Sequence, residues 1–485
     1  MTFNSIQYAL FLPTVVVAYW ALPKRARLPL LLAASYVFYG SWDYRFLSLI
    51  VISTASDFVI GRTLGRTEEE GRRRLLMAAS LIVNLSILGF FKYFHFFVDS
   101  AAGLLTRAGL SANATFLEIV LPVGISFYTF QTISYTFDVY RRRMDPCQSP
   151  VLFAVYVAYF PQLVAGPIER ARRLLPQLSA DRRPPAVTEL AGALGLIFLG
   201  LLKKVVIADR VGVYVDQVYA NHQDAGSMAL SLGVLAFAIQ VYGDFSGYTD
   251  IARGSSRLFS VHLMENFTQP HLSRNITEFW QRWHISLSSW LREYLYVPLG
   301  GNQKGRLLTY RNLIATMLLG GLWHGAAWTY VVWGGCHGVY LAIHRAFQGE
   351  TRTGPQLPRA RHGDVGTERP DLPRGPRELL AVAATFTLVA LTLVIFRAES
   401  LAQAFSIFGG LLSGTGPGPA PGYVVEVLLL AALAFGLDVV ARLRISWSDV
   451  AVARPQLAGA AAGLCLLLVV IASGAPSIPF IYFQF

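Results

Sequence analysis

The sequence predicts an all-α polytopic membrane protein, and three observations carry that expectation. Of its 485 residues 54% are hydrophobic and only 14% charged, too few charges to dress a soluble surface of this size. Apolar runs recur along the chain at lengths near that of a bilayer-crossing helix. Basic clusters punctuate those runs instead of gathering on one face, so the net charge of +12 points to topogenic loops and away from nucleic acid.

The opening MTFNSIQYALFLPTVVVAYWALPKR has its positive charges after the apolar stretch and no A-x-A cleavage site, which predicts a retained first helix. Spanning candidates lie near 6–22, 28–42, 46–61, 75–98, 119–138, 187–207, 228–242, 309–323, 326–343, 379–396, 423–441 and 457–473. With the shorter runs counted as tilted or broken helices, this makes about 11–13 membrane segments. Starting from an outside N-terminus, twelve crossings put the clusters at Lys24/Arg25/Arg27, Arg62 to Arg74, Arg141 to Arg143, Arg253/Arg257, His344 to Arg377 and Arg442/Arg444 on the cytoplasmic side.

Two features depart from that scheme. The apolar segment 151–168, VLFAVYVAYFPQLVAGPI, has arginine clusters at both ends, which suits a re-entrant hairpin better than a crossing. Lys203 and Lys204 fall inside an apolar segment, where charges face protein or water and not lipid. The stretch 347–378 is rich in Pro, Gly and Arg and predicts a mobile cytoplasmic linker between a membrane core, 1–346, and C-terminal membrane helices, 379–485. No repeat of 20 to 50 residues is visible by inspection. Cys147, Cys336 and Cys465 are far apart and show no metal-ligand spacing, so they predict neither a disulfide framework nor a metal site.

The segment 243–305 mixes charges and aromatics too densely for a span and predicts an amphipathic insertion on the cytoplasmic side. Asn275 with Glu278 forms a capping-box start, and Pro298 with Gly300 and Gly301 forms a stop, which predicts one helix over 276–296. At 100° per residue Glu278, Arg282, Ser289 and Glu293 share one face of that helix. Trp280, Trp283, Leu287, Trp290, Leu291 and Tyr294 share the other, with His284 at its edge. Such a face either anchors the helix at the membrane interface, with His284 capping a carbonyl, or lines a cavity into which His284 points.

Most of the nine histidines have ordinary explanations. His222, His262, His271 and His362 sit in polar loops and are expected to be solvated, and His344 suits the negative end of a helix. His95 with Asp99 makes an H-x-x-x-D whose place at a membrane helix end gives it no catalytic context. His337, in WGGCHGVYLAIHR, is expected to hydrogen-bond between closely packed helices. His324, in GGLWHGAAW, lies at a break between two apolar runs, with glycines at 320, 321 and 325 that let backbone or ligand approach. A neutral imidazole there can take a proton from a hydroxyl and pass it to a leaving thiolate.

FSGYTDIARGSSRLFSVHLMENFTQPHLSRNITEFWQRWHISLSSWLREYLYVPLGGN and GLWHGAAWTYVVWGGCHG resemble the membrane-bound O-acyltransferases (MBOAT). The nearest branch is that of the alginate O-acetyltransferase membrane subunit and the D-alanyl transfer protein of teichoic acid. FYGSWDYRFL, LPVGISFYTFQTISYTFDVYR and YFPQLVAGPI add to the resemblance, which runs from about residue 30 to 345 and loosens beyond. It implies an MBOAT-like helical core in a bacterial inner membrane and a tunnel fed with acyl donor from the cytoplasm. His324, in the W-H-G motif, would be the catalytic residue and His284, in W-H-I-S, a second functional position. Trp280, Trp283, Trp290, Trp323 and Asn302 are the expected substrate contacts. The resemblance implies no metal and no tightly bound cofactor, with acetyl-CoA or another acyl thioester as donor substrate. The acceptor would be an exported polysaccharide reached through an extracytoplasmic acetyltransferase-type partner, because no soluble domain of that type follows the last helix. D-alanyl transfer to a cell-wall polymer is the nearer alternative, and a polysaccharide or lipid transporter or a scaffold the more distant ones. In the terminal PSIPFIYFQF, Tyr482 is expected to be an interfacial anchor in preference to an acyl-relay hydroxyl.

Overall fold

The computed structural model describes residues 1–109, 119–164, 166–348, 372–443, 447–474 and 478–481. These form helices and turns, with no strand among the described residues. Among the described residues, seven helical stretches are long and apolar enough to cross a membrane: Lys24–Arg66, Glu70–Arg107, Val187–Ala220, Ser227–Arg257, Pro376–Arg397, Pro421–Arg442 and Pro455–Ala472. Shorter apolar helices cover Ile6–Ala21, Pro150–Leu163 and Leu401–Ser413. Three of the seven stretches join two helices through a tight or wide turn, at Tyr44–Phe46, Gly89–Tyr93 and Leu202–Ala208. This is the all-α polytopic architecture that the composition predicts. Most of the expected linker, 349–371, and Tyr482 lie outside the described residues.

The chain divides into two compact units. The first comprises Met1–Pro184, Phe259–Leu263 and Gly325–Ala327. Its helices are α1 (Ile6–Ala21), α2 (Lys24–Asp43), α3 (Leu47–Arg66), α4 (Glu70–Leu88), α5 (Phe94–Arg107), α6 (Ile125–Tyr140), α7 (Pro150–Ala158), α8 (Phe160–Leu163) and α9 (Ala171–Ser179). Helix α6 is buried along most of its length, so its polar side chains must be satisfied by its neighbours. Part of that need is met around Asp57 of α3, which accepts from Ser80 and Asn84 of α4 and from Thr136 of α6. Arg73 closes the turn into α4 by donating to the carbonyls of Leu64, Thr67, Val139 and Tyr140. The segment 151–168 forms two short helices, α7 and α8, broken at Tyr159 and buried from Phe153 to Leu163 except at Ala154. Nine residues of helix rise only about 14 Å, too little to cross a bilayer.

The second unit comprises Pro185–Leu258, Met264–His324 and Trp328–Phe485. It is built from α10 (Val187–Leu201), α11 (Asp209–Ala220), α12 (Ser227–Arg257), α13 (Ile276–Arg282), α14 (Ile285–Leu291), α15 (Arg306–His324), α16 (Trp328–Gln348), α17 (Pro376–Arg397), α18 (Leu401–Ser413), α19 (Pro421–Arg442), α20 (Trp447–Ala453) and α21 (Pro455–Ala472). The polar insertion starts later than its composition suggests. Helix α12 runs unbroken through 243 to Arg257, because three of its charges beyond 243 are paired inside the unit. Asp244 meets Lys204, Asp250 meets Lys203, and Arg253 meets Glu265. Lys203 and Lys204 thus face protein, as their depth requires.

The helix expected over 276–296 is also corrected, into three pieces. Helix α13 stops at Arg282, α14 starts at Ile285, and a π turn, Arg292–Tyr296, follows. The capping residue is Asn275, whose side chain accepts from the Glu278 N–H, while the Glu278 carboxylate turns back to the Arg274 N–H. His271, expected in solvent, is buried between Tyr242 and Phe386 at ring distances of 4.6 and 5.2 Å. The polar sequence around it gives no sign of the aromatic side chains that α12 and α17 bring from either side.

Candidate active site

The crossing of α15 and α16 sets where His324 stands. A Cβ added to Gly321 would come within 2.1 Å of the Tyr330 carbonyl oxygen, and one added to Gly334 within 2.2 Å of that of Met317. The two backbones are in contact at these glycines, which is the use of small residues at helix crossings in membranes. Held this close, the last residue of α15 meets the first turns of α16. His324 is 4% exposed, its ring edge-on to Trp333 at 5.2 Å and to Phe396 of α17 at 5.5 Å.

His284 comes from a different segment, at the junction between α13 and α14. It occupies the left-handed region, with φ 43° and ψ 55°, and its carbonyl starts α14 by accepting from Ser288. A residue with a Cβ spends about 1–2 kcal/mol in that region, so neighbours must hold it there. Asn266 does so: its carbonyl accepts from the Ile285 N–H at 2.9 Å and its side-chain oxygen from the Ser286 N–H at 3.2 Å. One step further on, the Thr268 N–H donates to the carbonyl of Arg282. The His284 ring is fully buried, edge-on to Phe245 of α12 at 4.6 Å and 5.8 Å from Trp323. The centroids of His284 and His324 are 6.3 Å apart.

His337 has a different part. Its Nδ1 accepts from the Trp280 indole at 3.2 Å and its Nε2 lies 3.0 Å from the Thr392 hydroxyl, joining α13, α16 and α17. Trp333 stands between the two kinds of histidine, 4.8 Å from His337 and 5.2 Å from His324. The structural role expected for His337 is therefore visible as hydrogen bonds on both nitrogens.

The remaining expected contacts are spread by the break at 283–284. Trp323 adjoins both histidines, and Trp280 reaches the site through His337 and Trp333. Trp283 packs on Phe267 and Phe279, Trp290 packs on Tyr294, and Asn302 is exposed on the turn before α15. The three tryptophans of 276–296 do not share one helix face. Trp333, Phe396, Phe245 and Asn266 are neighbours that sequence reasoning missed. Only Trp333 carried a local signal, in the glycine-rich run that also holds His337. Among the described residues, no three His, Cys, Asp or Glu side chains are grouped to hold a metal ion.

Two facing imidazoles in an aromatic interior can manage proton movement at one reaction centre while water is kept out. Comparison with known proteins gives this geometry its context. The model of the family described as MBOAT, membrane-bound O-acyltransferase, matches residues 147–363, which include both histidines. The chain is 42% identical over 418 residues to the probable alginate O-acetylase AlgI of Azotobacter vinelandii, covering 85% of this chain and 78% of that protein. It is 35% identical over 443 residues to the peptidoglycan O-acetyltransferase of Helicobacter pylori, covering 84% and 78%. It is 27% identical over 286 residues to the teichoic acid D-alanyltransferase of Bacillus subtilis, covering 56% and 68%. With its apolar helices, its buried histidine pair and this similarity over most of its length, the chain is a multi-pass membrane protein that belongs to the membrane-bound O-acyltransferase family.

Proposed function

We propose that the protein moves an acetyl group from a cytoplasmic thioester, acetyl-CoA or a close equivalent, across the bacterial inner membrane to a hydroxyl of an exported polysaccharide. His324 takes the proton of the acceptor hydroxyl as its oxygen attacks the thioester carbonyl. The C–S bond then breaks, and the imidazolium returns the proton to the departing thiolate. His284 orients or polarises the acyl group, Trp323 borders the space between the rings and Trp280 backs it through His337 and Trp333, while Trp283, Trp290 and Asn302 contact only those parts of the substrates that extend beyond this space. Orientation in a closed interior contributes as much as the base itself. An extracytoplasmic acetyltransferase-type partner completes delivery to the polymer.

The observation that carries this function is the pair of buried rings, His284 and His324, with centroids 6.3 Å apart and planes tilted by 57°. Acetyl is favoured over D-alanyl because the acetyl-transferring relatives match at 35% and 42% over most of the chain, whereas the D-alanyl-transferring one matches at 27% over 56%. The test compares acyl content of surface polymers between the wild type and a His324→Ala strain with equal protein in the membrane. Loss of acylation is expected, and undiminished acylation overturns the assignment. Inverted vesicles given labelled acetyl-CoA and, separately, a D-alanyl thioester distinguish the donor.

A further inference from the structure

Lys204 is 1% exposed and sits on the π turn Leu202–Ala208. Its ammonium lies 2.7 Å from Asp209 and 2.8 Å from Asp244, and it donates to the carbonyl of Ile478 at 2.8 Å. Asp244 uses its other oxygen to accept the Ile481 N–H at 2.6 Å. One cation and one carboxylate thus grip both ends of a four-residue stretch of main chain far along the sequence. Gly212 shapes the seat, because a Cβ there would come within 2.2 Å of Ile478 Cδ1. Between the two grips Phe480, 1% exposed, stacks on Tyr248 at 4.1 Å and 22°. It also lies 6.0 Å from Phe245, the ring that stands edge-on to His284.

A short extended segment loses its ordering to chain entropy unless something strong holds it. Charge-assisted hydrogen bonds in a dry interior are strong and directional. A buried ion cluster is, however, an inefficient source of stability compared with apolar packing, so its position beside this segment asks for another use. We infer that the segment 478–481 forms part of the wall of the acyl-transfer site, and that Lys204, Asp244 and Phe480 are positioning residues that set His284 through Phe245. The inference rests on the role proposed above for His284 and His324.

Lys204→Met would leave two carboxylates buried without their cation and is expected to unfold, so the test is made at the tail in full-length protein. Ile481→Pro removes the N–H that Asp244 accepts, and Phe480→Ala removes the ring. Acetyl transfer from labelled acetyl-CoA is followed in membrane vesicles across pH, beside His324→Ala and His284→Ala. Both tail variants are expected to lower kcat by about tenfold or more, as misplacement of a catalytic group does. They are also expected to move the midpoint of the pH–rate profile by about half a unit or more, since a displaced His284, 6.3 Å from His324, changes the surroundings of that base. Phe480→Met, which refills the space, recovers most of the rate. A partly unfolded population would scale the profile without moving its midpoint, and that result overturns the inference. Wild-type rates in the tail variants beside inactive histidine variants overturn it too, and leave the histidine pair standing. Wild-type rates in both histidine variants remove the pair's role and the inference with it.

Discussion

Trp333 holds its ring at 88° to that of His324, centroids 5.2 Å apart, and meets His337 on its other side. The indole is 3% exposed and separates a histidine with hydrogen bonds on both nitrogens from the one assigned to the chemistry. Trp333→Leu keeps an apolar side chain but loses this wall. The expected result is normal membrane abundance with acyl transfer reduced by about tenfold to a hundredfold, measured as labelled acetyl incorporated per unit of protein.

The roles of His337 and His324 separate by stability. His337→Ala leaves the Trp280 indole N–H buried without the acceptor it now uses, a loss of about 1–3 kcal/mol. Melting of the detergent-solubilised protein should fall clearly for His337→Ala, with His337→Gln recovering part of it. His324→Ala should melt near the wild type and be inactive.

At the α15–α16 crossing, Gly321→Ala puts a methyl 2.1 Å from a backbone oxygen, which cannot move without moving its helix. The expected cost is about 1–3 kcal/mol together with loss of activity. Gly335→Ala on the same helix pair meets only Leu318 Cδ2, at 3.2 Å, and gains about 1 kcal/mol of helix propensity. It should melt and turn over like the wild type, so equal damage at both glycines would refute the crossing as the reason a side chain is excluded at Gly321.

Asn266 holds the left-handed turn of His284 through a side-chain oxygen on Ser286 and donates to Thr249 of α12. Asn266→Ala should lower kcat more than it lowers melting temperature, because it frees the turn without emptying the core. Asn266→Asp keeps the oxygen for Ser286 and should retain more activity than Asn266→Ala in the same vesicle assay.

The alternation of apolar runs and basic clusters was enough for the helical membrane class, because a bilayer allows spanning structure little other form than helix. A histidine at a glycine-rich break singled out His324, and the cap at Asn275 is a local hydrogen bond that needs no tertiary partner. The break after Arg282 was not legible in the same way. Periodicity places side chains on a face only while the helix continues, and His284 leaves it by adopting a positive φ that Asn266 enforces from another segment. Nor could composition show that α12 continues past residue 243, since its Asp244, Asp250 and Arg253 are answered by partners elsewhere in the chain. Local composition and motif were enough for the class of the protein and its membrane setting, and they marked the two histidines as candidates. It took the folded chain to bring those histidines within 6.3 Å, to back them with Trp333 and Phe245, and to lay residues 478–481 against Lys204. Such contacts arise between segments up to 274 residues apart, where no spacing along the chain records them.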